Sequence, residues 1–437
     1  MIYRIILQNF RSFKDRVELS LIPDAESIHV AYDDTKYPTL RSAAIYGANA
    51  SGKSNIIKAI DFLRDVILDN SIIPVVKNQA FRLDATSVVS PSLMVVEIRL
   101  DNYIYQYGVV FNFSTSCIIK EWLKAYNVDL DNWSPIFIRT LNNNINEIEF
   151  ITSNDNPNKV RYEIYKEDLA KQSQRLVLSE IASKGLSDPD CAEHINRIYE
   201  WFDDLSIIFP STSYNLLGAL AKDEQAVNEL YKSYFNVFDI DIEEIKLKQV
   251  PSNLIHIPDK LVTQIKKDLQ AQKNNKKFAM IHGNRDFLAR MDNRGELAFL
   301  EVSFVHKLNN YQGDFEIQEE SDGTQRLFDL IPMIGYLMHS NKVVMIDEID
   351  RSLHCLLTRK LLQMVLNESE ATKSQIVLTT HDVLLMDLSI LGKREIWFVD
   401  KKSKVSSLYP LDKFRIDSKI DINKNYLLGR FKAIPEY

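Results

Sequence analysis

The sequence predicts an α/β fold interrupted by a mostly helical insertion. Three observations lead there. A short apolar strand, Ala43-Ala44-Ile45-Tyr46, runs into a glycine-bounded loop and then into a helical pattern. Strand patterns return at position 297 and alternate with helical ones to about position 399. Between these stretches the apolar residues recur at helical spacing.

Taken in order, Ile2-Tyr3-Arg4-Ile5-Ile6-Leu7 and Val17-Glu18-Leu19-Ser20-Leu21 flank a polar turn, the pattern of a hairpin. Ile56, Ile57, Ile60, Leu63 and Ile67 place a helix over residues 53–68. Residues 93–100 and 103–113 read as strands. Asn- and Asp-rich turns occupy 130–158, and helices are expected near 160–184, 192–209, 217–238 and 259–272. None sustains the heptads of a long coiled-coil arm. A chain of 437 residues is long for one core. The expected organisation is an N-terminal part of the core at 1–113, a helical insertion at 114–296 and the rest of the core at 297–437.

Composition narrows the function classes. The formal net charge of −7 does not favour attraction of nucleic acid to the whole surface, although it leaves a local basic patch open. Cys117, Cys191 and Cys355 stand far apart with no CxxC pair, which argues against a disulfide framework or a thiolate zinc site and fits a reducing cytoplasm. Arg4 interrupts the apolar N-terminus, so no signal peptide is expected there. No stretch reaches about 18 uninterrupted apolar residues, so no membrane span is expected.

The chemistry lies in four motifs. Gly47-Ala48-Asn49-Ala50-Ser51-Gly52-Lys53-Ser54 fits GxxxxGK[ST] without a mismatch, with a strand before it and a helix after. Glycines let the backbone wrap phosphate closely, and successive N–H groups with the helix N-terminus present positive potential to it. Lys53 is expected to reach the β- and γ-phosphates of ATP, and the Ser54 hydroxyl to coordinate Mg²⁺. Val343-Val344-Met345-Ile346 is an apolar strand tipped by Asp347 and Glu348, which suit a Mg²⁺ ligand and a general base for the attacking water. Ile376-Val377-Leu378-Thr379-Thr380 is a β-branched strand tipped by His381, a donor for the γ-phosphate. Ser321-Asp322-Gly323 opens an apolar helical pattern, a second anion-binding device that a simple helix cap would also explain.

The order of these motifs resembles the ABC ATPase superfamily. That resemblance implies a head made of a β-lobe and a parallel-sheet lobe. It also implies two chains that sandwich two ATP molecules, with Ser321 and Gly323 acting in trans and Asp350 at the dimer contact. A glutamine loop is expected, with Gln79 as the candidate metal-facing residue. Asp347-Glu348-Ile349-Asp350-Arg351-Ser352-Leu353-His354, Thr379-Thr380-His381-Asp382, Ile396-Trp397-Phe398-Val399 and the closing Tyr426-Leu427-Leu428-Gly429-Arg430-Phe431-Lys432-Ala433-Ile434-Pro435 are similar to the bacterial AAA15/AAA21 ATPases of antiphage defence, the AbiL and Rlo types. Asn9-Phe10-Arg11-Ser12-Phe13 is similar too, which implies that Arg11 approaches the nucleotide. Membership would imply an ATPase that senses infection and controls a separately encoded effector, a nuclease or Toprim-like protein, from a homodimer or higher homo-oligomer. A DNA-repair or chromosome-maintenance ATPase of the RecF or SMC kind shares the same core and is the alternative; an ATP-locked scaffold is a third reading. Ile281-His282-Gly283-Asn284-Arg285-Asp286 imitates one metal-binding stretch of a phosphoesterase without its companion ligands, and Cys191 with His194 supplies only two ligands. The basic run 273–277 is more often a solvated surface than a nucleic-acid contact.

Overall fold

The computed structural model describes residues 1–33, 35–69, 79–210, 224–251, 278–281, 287–291, 295–368, 373–415 and 421–434, together with positions 262, 263, 265, 266 and 269. The chain forms two compact units: Met1–Phe209 with Ser340–Ile349 and Leu366–Tyr437, and Pro210–His339 with Asp350–Val365.

Among the described residues, the first unit holds a two-stranded sheet, Val30–Ala31 with Thr39–Leu40, and two large ones. One is antiparallel, in the order Ile145–Phe150, Asn132–Asn142, Cys117–Asn127, Tyr103–Asn112, Ser92–Leu100, Ile2–Gln8, Val17–Ser20. The other runs Ser206–Ile208, Val343–Ile346, Gln375–Thr379, Ser42–Tyr46, Ile396–Lys402, Val405–Pro410, parallel throughout except at the last pair. Its strands are apolar runs because both faces are covered: Ser42–Tyr46, Val343–Ile346 and Gln375–Thr379 are buried at every position. Helix Ser54–Asp69 buries Ile56, Ile57, Ala59, Ile60, Leu63, Val66 and Ile67 in a core shared by both sheets. Gln375 ties the sheets together. Its side-chain oxygen accepts from the Ile2 amide at 2.7 Å, and its amide nitrogen donates to the carbonyls of Ile2 and Leu40 at 2.9 and 2.7 Å. A buried amide is tolerated here because its polar atoms are hydrogen-bonded.

In the second unit, Leu297–Leu308 pairs with Glu244–Val250 on one side and with Phe287–Met291 and Tyr311–Glu316 on the other. Helix Asp322–His339 contains Pro332, which has no N–H to give to the carbonyl of Phe328 four residues earlier. The Tyr231 hydroxyl, on helix Glu224–Val237, donates to that carbonyl at 3.1 Å. The two rings stack with centroids 4.8 Å apart, and Phe304 meets Phe328 edge-on at 4.9 Å.

The N-terminal hairpin, the helix after the glycine loop and the strands near 93–113 lie where the sequence places them. The stretch 114–296 differs, because it carries strands as well as helices. Cys117–Asn127, Asn132–Asn142 and Ile145–Phe150 extend the antiparallel sheet, so the compact units do not divide at 113/114 or 296/297. The helix expected over 192–209 stops at Asp204, and Ser206–Ile208 becomes an edge strand beside Val343–Ile346. Among the described residues no helix is long and apolar enough to cross a membrane.

Candidate functional site

The glycine loop follows strand Ser42–Tyr46 and ends where helix Ser54–Asp69 begins. Its two glycines are demanded by space as well as by conformation. Gly47 has φ 154°, and a Cβ there would lie 2.3 Å from the Val399 carbonyl; Gly52 has φ 111°, and a Cβ would lie 2.4 Å from the Ser12 hydroxyl. Ala50, at the apex, takes the left-handed φ of 60°. Lys401 donates to its carbonyl at 3.1 Å. Ser406 donates through its hydroxyl to the Ser51 carbonyl, and its amide donates to the Ser12 carbonyl at 2.9 Å. The loop is thus gripped by the N-terminal turn and by hairpin Ile396–Pro410.

Lys53 is 5% exposed, and its ammonium lies 2.7 Å from the Gly47 carbonyl, 3.1 Å from that of Ala48 and 3.5 Å from His381 Nδ1. At the neighbouring strand tips, Thr379 donates to Asp347 Oδ1 at 2.6 Å and accepts the Glu348 amide at 2.8 Å. Lys53, Ser54, Glu348 and His381 line one cavity of about 420 Å³, with Asn49, Ala50, Gly52, Asn55, Lys58 and Lys401. Residues from three separate stretches of sequence meet there because strands Ser42–Tyr46, Gln375–Thr379 and Val343–Ile346 are parallel neighbours, so their C-terminal ends lie on one edge.

Arg11 lies beside this cavity in a tight turn where Phe10 and Phe13 exchange backbone hydrogen bonds at 2.8 and 2.9 Å. Asn9 and Arg11 both take left-handed φ values, 54° and 51°. Arg11 Nε donates to Gln79 Oε1 at 2.8 Å, and the two residues line a second cavity of about 610 Å³ with Arg82, Lys401 and Lys404. Gln79 therefore joins Arg11 rather than the cavity that holds Ser54, and its side-chain oxygen already accepts a hydrogen bond. Burial, then the Arg82 charge, press the Arg11 pKa down, while Asp61 opposes them. Asp61 itself is pushed up to about 6, by burial first and then by Asp65.

Ser54 and Asp347 offer a hydroxyl and a carboxylate, the hard oxygen donors that Mg²⁺ prefers. Among the described residues no group of three or more His, Cys, Asp or Glu side chains could hold a metal alone. Ser321 and Gly323 belong to the second unit. Ser321 caps helix Asp322–His339: its hydroxyl accepts from the Thr324 amide at 3.2 Å, and a Cβ on Gly323 would lie 3.0 Å from the Ser352 carbonyl. His306 Nε2 holds Glu320 at 2.6 Å, next to Ser321.

The decoys resolve as structure where they are described. His194 Nδ1 lies 2.8 Å from the Tyr105 hydroxyl, and Cys191 is buried with its thiol pushed up by burial. His282 to Asp286 and the basic run 273–277 lie outside the described residues. Sequence reading missed Gln375 as a tie between the sheets, and Ser406 and Lys401 as supports of the loop. Their only signal was a serine and a lysine in a polar hairpin, with no motif.

A search of the curated proteins finds no match. Among solved structures the chain is similar to the SmcHead bound to the C-winged helix domain of ScpA, with 14% identity over 94% of this chain and 97% of that one and a TM-score of 0.42. It is also similar to the SMC head domain from Thermotoga maritima, with 13% identity over 95% and 99% and a TM-score of 0.35. A family model matches residues 42–387, from the strand before the glycine loop to beyond His381. The chain belongs to that family, described as "AAA domain, putative AbiEii toxin, Type IV TA system".

Proposed function

We propose that the chain binds ATP with Mg²⁺ and hydrolyses it to ADP and phosphate at a pocket completed by a second copy. The observation that carries this is the single cavity onto which Lys53, Ser54, Glu348 and His381 converge. The loop amides and Lys53 bind and orient the β- and γ-phosphates. Ser54 and Asp347 would hold Mg²⁺, which neutralises phosphate charge when bound. Glu348 orients the attacking water and accepts its proton, and His381 donates to the γ-phosphate. Ser321 and Gly323 of a partner copy close the pocket, with Asp350 at the contact, so nucleotide state sets whether the pair is closed.

The family description names a "putative AbiEii toxin, Type IV TA system". We extend this to a defence setting in which a cytoplasmic homodimer or higher oligomer holds or releases a separately encoded nuclease or Toprim-like effector. Glu348→Gln tests the chemistry. The purified variant should bind ATP with near-normal affinity and lose turnover by about 10²-fold or more. Wild-type turnover in that variant removes Glu348 as the base. DNA binding that depends on ATP and survives salt, with no effector co-purifying, would move the reading to the RecF or SMC kind.

A further inference from the structure

We infer that Thr379 is a positioning residue for hydrolysis, its one hydroxyl setting both the metal-binding carboxylate and the backbone of the general base. This rests on the ATPase reading above and adds a residue to it. Strand Gln375–Thr379 runs beside Val343–Ile346, with Leu378 opposite Ile346, so Thr379 falls level with Asp347. Three bonds then link it to consecutive residues. Its hydroxyl donates to Asp347 Oδ1 at 2.6 Å and accepts the Glu348 amide at 2.8 Å, and its carbonyl accepts the Ile349 amide at 3.1 Å.

The middle bond matters most, because Glu348 sits at φ 51°, a left-handed conformation that side-chain-bearing residues rarely adopt. Thr379 is fully buried, as is Thr380 behind it, so water does not replace a lost hydroxyl cheaply. A carboxylate that accepts a fixed hydrogen bond on Oδ1 keeps one orientation. Supports of this kind behind a metal ligand typically change metal affinity or activity by about 10- to 100-fold.

The test is Thr379→Val, which keeps the shape and removes the hydroxyl, beside Thr379→Ser, which keeps the hydroxyl. Two readouts are needed in the full-length protein: ATP turnover against Mg²⁺ concentration, and binding of Mn²⁺ to the ADP-loaded protein by electron paramagnetic resonance. Thr379→Val should weaken Mn²⁺ binding and lower kcat, each by about 10-fold or more, with ATP binding in EDTA unchanged. Thr379→Ser should stay within about threefold of wild type on both. Glu348→Gln separates the roles, since it should lose turnover and keep Mn²⁺ affinity.

Wild-type Mn²⁺ affinity and kcat in Thr379→Val overturn the inference, and so does a Thr379→Ser protein as defective as the valine variant. Should the valine variant not fold, Thr379→Ala carries the same expectations with less steric demand. If the wild-type protein turned over no ATP, the proposed function would fail, while the Mn²⁺ comparison would still judge Thr379.

Discussion

Removing the Tyr231 hydroxyl tests whether a side chain replaces the hydrogen bond that Pro332 cannot make. Phe328 is 1% exposed and Tyr231 is fully buried, so a carbonyl left without its partner there meets no water. Burial accordingly pushes the Tyr231 pKa well above its ordinary value. Tyr231→Phe keeps the stacked rings and should cost about 1–3 kcal/mol, the penalty for stranding a buried acceptor. At about 1.4 kcal/mol per tenfold, the local opening constant rises about 5- to 150-fold. Because the chain has two compact units, a single global unfolding energy is a poor readout, and hydrogen exchange of the amides in Asp322–His339 reports the local value. The control is Pro332→Ala, which restores an N–H to the Phe328 carbonyl. In that background Tyr231→Phe should cost less than half as much. An equal cost in both backgrounds, or one below about 0.5 kcal/mol in the wild type, refutes the substitution of one donor for the other.

Three further perturbations follow from particular contacts. Glu121, fully buried, accepts the Val177 and Leu178 amides at 2.8 and 3.0 Å and the Tyr107 hydroxyl at 3.1 Å, beside Arg139 at 3.6 Å. Glu121→Ala leaves the Arg139 charge buried and should destabilise the first unit by about 3–5 kcal/mol in urea unfolding, and a loss under 1 kcal/mol would contradict this. Asp61 titrates near 6 in the folded protein against an ordinary 3.8, so the folded state binds more protons and loses stability as pH rises from about 4 to 6. Asp61→Asn should therefore raise the melting temperature at pH 7.5 and leave it unchanged below pH 4; the reverse order contradicts the shift. Gly47→Ala should abolish ATP binding measured by calorimetry while the protein stays folded, since a Cβ meets the Val399 carbonyl at 2.3 Å.

What was legible in the sequence was local. The glycine loop announces itself because strand, loop and helix are contiguous, and Asp347-Glu348 and His381 stand out as polar tips on strands buried along their length. The strands Cys117–Asn127 and Asn132–Asn142 were not legible as part of the β-lobe. Their pairing to Tyr103–Asn112 and to each other is set by register across a Ser- and Thr-containing turn at 113–116 and an Asp-containing turn at 128–131, and Trp122 and Pro135 break simple alternation. Helical spacing near 160–184 hid a break: two helices, Lys159–Leu169 and Val177–Ala182, flank a turn whose carbonyls at Gln172 and Arg175 accept from Arg139. Supports such as Gln375 escape any motif because each acts through one side chain whose partners lie hundreds of positions away.

The most direct trial is to mix two inactive proteins. Lys53→Ala subunits should bind no productive nucleotide, and Ser321→Arg subunits should block the face they lend to a partner. If each working pocket is built from two copies, the mixture regains part of the wild-type ATP turnover, because one pocket per mixed pair has an intact loop facing an intact Ser321. Complete absence of turnover in a mixture whose subunits fold and pair would contradict the account.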